Sequence, residues 1–148
     1  MSAPQLITVD VPVETTALDA GDVAMTSVIP FPVSGHTVGV IRSLVIIDPD
    51  HNSAANIAGA LWMFKDTVTP AAKDAAHSIS DADANKCIGV IPIASGDVLL
   101  SALNSVATVR LNPGLPFDLV GTSLYGIYVV TATPTFAGGT IRMVLGVA

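Results

Sequence analysis

Ten prolines and twelve glycines punctuate a chain of 148 residues, and no long helix survives that spacing. The pieces left between them are short. Most are rich in Val, Ile, Thr and aromatic residues, which suit a pleated, half-buried surface. Strands are therefore expected at 5–15, 23–29, 36–48, 57–65, 87–93, 106–112, 115–121, 123–132 and 140–147. Turn material separates them: "PFPVSG", "DPDHNSAAN", "ASGD", "NPG" and "TPTFAGG". Helix is confined to a turn or two within 69–78 and 80–87, and residues 97–105 fit either a short helix or a strand. The expectation is an all-β fold, an antiparallel β-sandwich with the jelly roll as one arrangement, carrying one or two short helical turns. Residues 1–22, with Pro4 and Pro12, read as a first strand or as an extended N-terminal arm, and 23–148 as the sandwich of a single domain.

Several strands carry bulk on both faces. In "SLYGIYVV", Leu124, Tyr128 and Val130 point one way while Tyr125, Ile127 and Val129 point the other. "IAGALWMF" does the same with Leu61, Met63, Trp62 and Phe64. One face belongs to the sandwich core, and the other needs a cover, for which a neighbouring subunit is the economical candidate. Composition agrees: 51% of residues are hydrophobic and only 12% charged, against about 25% charged in an average soluble protein. An oligomer or assembly component is expected. Trp62, Phe64, Tyr125 and Tyr128 are the aromatic candidates for subunit contacts, with Arg110 and Arg142 as strand arginines able to pair across a boundary.

Charge excludes one class of partner. The net charge is −6, and Arg42, Lys65, Lys73, Lys86, Arg110 and Arg142 are scattered. No cationic stripe is available to displace counterions from nucleic-acid phosphates. The uncharged run 119–141 is long enough to span a bilayer, but Pro134 and four glycines make it two strands around a turn. No basic segment followed by an apolar core opens the sequence, so no secretory signal is expected.

The chemical motifs fail on inspection. Asp81, Asp83 and Asn85 alternate like calcium ligands, as do Asp48, Asp50 and Asn52. A calcium loop needs glycine at its sixth position and glutamate at its twelfth. Those places hold Lys86 and Pro92 in one case, Ser53 and Gly59 in the other. Ser80 instead suits a helix N-cap with Asp83 in the first turn, and "DPDHN" suits a turn. "GTSLYG" has Tyr125 where a nucleophile elbow needs glycine, and Ile127 and Tyr128 where a P-loop needs Lys and Ser or Thr. Cys87 reads as a space-filling residue at a strand start, and His36, His51 and His77 lack zinc-ligand spacing. No enzyme activity, metal or cofactor is expected.

Three stretches carry a resemblance: "FKDTVTPAAKDAAHSISDADANKCIGVIPI", "NPGLPFDLVGTSLYGIYVVTATPTF" and the closing "TIRMVLGV". Across about residues 41 to 147 the chain resembles small virion proteins of tailed bacteriophages, of the capsid decoration or cement type. That resemblance implies a β-sandwich, commonly a homotrimer, on the outer surface of the capsid, stabilising the head against internal DNA pressure. It implies the major capsid protein as partner, and synthesis in the host bacterial cytoplasm. It supplies no catalytic residue. The alternatives are a tail, neck or receptor-binding sandwich of the virion, and a small cupin-like enzyme or sugar-binding sandwich. The dispersed histidines and a single glutamate, Glu14, speak against the last.

Overall fold

A computed structural model describes residues 4–35, 37–50, 57–136 and 138–148. Nine strands are present among them: β1 (Gln5–Pro12), β2 (Ile29–Pro32), β3 (Val38–Asp48), β4 (Gly59–Phe64), β5 (Cys87–Ile93), β6 (Val98–Leu100), β7 (Ser105–Asp118), β8 (Ser123–Val130) and β9 (Thr140–Val147). One helical turn, α1 (Asp81–Ala84), precedes β5. The strands form two antiparallel sheets, the sandwich that the strand pattern foretold. Sheet I runs β1-β9-β3-β7-β6 and sheet II runs β2-β8-β4-β5.

The pairing is nested. β1 pairs with β9, β2 with β8, β3 with β7 and β4 with β5. A single two-stranded ribbon rolled over itself gives that order, which makes the sandwich a jelly roll with β6 added at one edge. Alternation builds the core between the sheets. In β9, Ile141, Met143, Leu145 and Val147 are buried. They meet Ile41, Leu44 and Ile46 of β3 on one sheet, and Phe31, Leu61, Met63, Ile91, Leu124 and Tyr128 of the other.

Three expectations need correction. The strand expected at 23–29 falls instead at Ile29–Pro32, inside the stretch read as a turn. Residues 23–25 make only isolated bridges, Val13 with Met25 and Val23 with Val129. Pro30 and Pro32 are tolerated because β2 is an edge strand and needs no donor on its open side. Second, the two strands expected at 106–112 and 115–121 are one, β7. Both halves pair with β3, and residues 111–114 make an excursion opposite Arg42, whose guanidinium donates to the Pro113 carbonyl. The Asn112–Pro113 bond there is cis. Third, residues 69–78 make no helix, only a turn in which the Ala75 N–H donates to the Ala72 carbonyl at 3.1 Å.

That last segment matters for what stays exposed. Residues 65–80 cross the outer face of sheet II. Val68 is buried, Ala71 and Ile79 pack on the core, and the His77 ring lies 4.5 Å from that of Trp62. Hydrogen bonds from Val23 to the Ala75 carbonyl and from His77 to the Gly21 carbonyl, both 2.9 Å, tie it to 21–23. The second apolar face of β4 and β8 is thus covered by the chain itself: Phe64 and Ile127 are 0% exposed.

Candidate docking surface

Among the described residues sheet I has no such cover. Cross-strand register sets its outward side chains in three rows. Leu6, Gly146, Ser43 and Arg110 form the first; Thr8, Val144, Val45 and Thr108 the second; Asp10, Arg142, Ile47, Val106 and Leu99 the third. The middle row bears no charge, and Val45, Ile47, Val106 and Val144 are half-buried by their neighbours alone. Asp10 and Arg142 pair across β1 and β9, with Nε to Oδ1 at 2.8 Å and a second contact at 3.4 Å. That bond holds the Asp10 carboxyl below its ordinary range and raises the Arg142 guanidinium further. Arg110, at the opposite corner, has no hydrogen bond or ion pair among the described residues.

The edge of sheet I continues the apolar surface. Leu99 and Leu100 on β6, and Leu103 in the turn to β7, are 78%, 53% and 77% exposed. The turn is tight, with the Ser101 N–H donating to the Asn104 carbonyl at 2.9 Å, so the leucines are held on a short hairpin. Sheet edges are ordinarily blunted against stray pairing by proline, charge or bulges. Here β2 carries Pro30 and Pro32, β5 carries Pro92, and β1 ends on Pro12. Strand β6, "VLL", carries neither proline nor charge.

The residues singled out from sequence separate into three groups. Phe64 and Tyr128 lie wholly inside the chain, 0% exposed, and neither side chain reaches the surface. Trp62 and Tyr125 are half-buried on the covered side of sheet II. Arg110 and Arg142 stand on the open face of sheet I. The leucines of 98–103 and the Thr8–Val45–Val144 row were not singled out. The run "VLLSAL" was a detectable signal, but it fits helix and strand equally.

The acidic motifs are structural. Ser80 caps α1, its Oγ accepting from the Asp83 N–H at 3.1 Å. The Asp83 carboxylate accepts from the Thr69 N–H at 2.9 Å and holds Lys86 Nζ at 3.1 Å. These contacts, the Thr69 bond first, lower its pKa. Lys86 also donates to the Thr67 carbonyl at 2.9 Å, so the place of a cation is taken by a side chain that clamps 67–69 to α1. In the other motif the Asp50 N–H donates to Asp48 Oδ1 at 3.2 Å, a turn contact; Asn52, His51 and His36 lie outside the described residues. Among the described residues no three metal-ligating side chains converge. Glu14 accepts from the Thr15 and Thr16 N–H groups and pairs with Lys73 at 3.2 Å; these bonds, that from Thr16 foremost, lower its pKa. Cys87 is half-buried beside the core, its Sγ 3.6 Å from the Gly89 carbonyl. Among the described residues no helix is long and apolar enough to cross a membrane.

No protein-family model and no curated protein matches the chain. Among solved structures, an X-ray structure of tomato aspermy virus is similar at 12% identity and a TM-score of 0.39, over 99% of this chain and 78% of that one. A likeness so distant has no bearing on function.

Proposed function

We propose that this chain is a structural protein of a virion, a decoration protein that binds the outer surface of a bacteriophage head and stabilises it against the pressure of packed DNA. One observation carries the reading: a leucine hairpin, Leu99, Leu100 and Leu103, stands exposed at the β6 edge of sheet I, which carries neither proline nor charge. An apolar edge of this kind is a liability in a solitary protein and an anchor in an assembly. The jelly roll is a fold that capsid proteins share with lectins and cupins, so it is compatible with the role without selecting it. Among the described residues the space between the sheets is filled with apolar side chains.

In this reading the hairpin docks on the major capsid protein. Each contact buries apolar area worth about 25 cal/mol per Å² as an upper bound. The stabilisation is repeated at every copy bound on the lattice. The test uses phage heads stripped of this protein. Heads rebuilt with it should hold their DNA to a higher temperature than bare heads, and Leu103→Asp protein should bind them more weakly. Equal heat stability with and without the protein would remove the proposal.

A further inference from the structure

We propose that residues 70–79 form a strap that lifts off sheet II when His77 takes up a proton, uncovering Trp62 at mildly acid pH. The device belongs to the free protein and does not rest on the capsid reading.

The strap is hinged at one place. Asp83 accepts from the Thr69 N–H at 2.9 Å, and its own N–H donates to Ser80 Oγ at 3.1 Å, so both ends of the loop are tied to α1. A loop whose ends adjoin can swing as a unit and leave the strands in place. What holds it down is slight. None of residues 70–79 is fully buried, and Ala71 and Ile79 pack only partly on the core. Three backbone bonds of 2.9 Å reach 21–23: Val23 to the Ala75 carbonyl, Asp74 to the Val23 carbonyl and His77 to the Gly21 carbonyl. Lys73 pairs with Glu14 at 3.2 Å. Asp74 stands at φ 62°, a left-handed backbone that costs an L residue energy. The His77 ring lies on Trp62, centroids 4.5 Å apart. Few buried contacts and exposed backbone bonds mark a segment that opens locally.

His77 makes that opening answer to pH. In the closed strap its Nδ1 is buried and has no hydrogen-bond partner. Protonation makes both ring nitrogens donors. The buried one then carries charge with no acceptor, and opening returns it to water. The pKa of the closed ring accordingly lies below 6.5, with burial as the cause. Among the described residues no charged group pairs with His77. Asp22 faces Ala76 of the strap and accepts from the Asp19 N–H at 2.9 Å. Lys73 and Asp74 belong to the strap itself. On the sheet side the titratable groups are the Tyr125 phenol and the Cys87 thiol, with Lys65 and Asp66 where β4 ends.

Residue-resolved hydrogen exchange of the full chain tests the strap. From pH 6.5 down to the value of the closed ring, the opening equilibrium should grow up to about tenfold per pH unit. The amides of Val23, Asp74 and His77 report it as a fall in protection once the intrinsic rate is removed. Their opening should respond to urea far less than that of the β9 amides, the mark of a local event. Glu14 and Asp83, which help tie the strap, are held below the ordinary carboxylate range and stay ionised across this window. His77→Gln should make the protection of Val23 and Asp74 independent of pH. Protection level with pH in the wild type overturns the proposal, as does a strap that opens only together with β9, or a pH dependence that survives His77→Gln. Protection that rises in acid also overturns it, and means that the Trp62 face holds the imidazolium.

Discussion

Tyr128 lies wholly inside the sandwich, yet its hydroxyl is not orphaned: it donates to the Ile57 carbonyl at 2.9 Å. Burial, with Asp48 nearby as a lesser cause, raises its pKa and keeps the phenol protonated. The ring also meets Phe136, with centroids 6.3 Å apart. Tyr128→Phe keeps the packing and strands the carbonyl. It should cost about 1–3 kcal/mol, read as a fall in the urea midpoint with unchanged slope. An unchanged midpoint would mean that the carbonyl finds another donor. From sequence, Tyr128 reads as a contact residue because both faces of its strand are apolar. Alternation says which residues share a face; it does not say which face is inside. The same ambiguity holds for Phe64.

Elements whose alternation is clean, such as β9 and β1, were legible to within a few residues. β2 was not, because Pro30 and Pro32 signal a turn until the strand is known to lie at an edge. The cover over sheet II was also illegible, since 65–80 suggests at most a turn or two of helix within 69–78 and is held instead by backbone bonds to distant residues. Its absence from the sequence reading is why a neighbouring subunit was invoked for a face the chain closes itself. Contact between β4 and β8 has its own requirement at Gly59. A Cβ there would collide with the Val129 carbonyl oxygen and come within 3.0 Å of the Tyr128 ring. Gly59→Ala should therefore part the ladder and cost roughly 1–3 kcal/mol. Gly121→Ala, which meets nothing within 4 Å, should leave the melting temperature unchanged. Equal melting temperatures for the two variants would contradict the packing.

At the scale of the molecule, few charges mean that a few bonded ones set the response to pH. Burial lowers the His77 pKa from its ordinary 6.5, so the folded state favours the neutral ring. Unfolding then takes up a proton, and stability should fall as pH drops below 6.5 toward the folded value. Asp10, Glu14 and Asp83 are lowered as well. Their contribution is present above the ordinary carboxylate range and is lost as pH falls through their folded values. Urea titrations from pH 8 downward should show a shallow decline below 6.5 and a steeper one below about 4. His77→Gln should flatten the first decline alone; a profile level down to pH 5 in the parent would refute its assignment.

The rolled ribbon places β9, the last strand in chain order, between β1 and β3. During synthesis, then, the earliest and middle portions of sheet I have no bridge to one another until Val147 has left the ribosome. Assembly of that layer waits for β9, and the nascent chain must be kept from aggregating, by chaperones or by speed, while the strands before it are made.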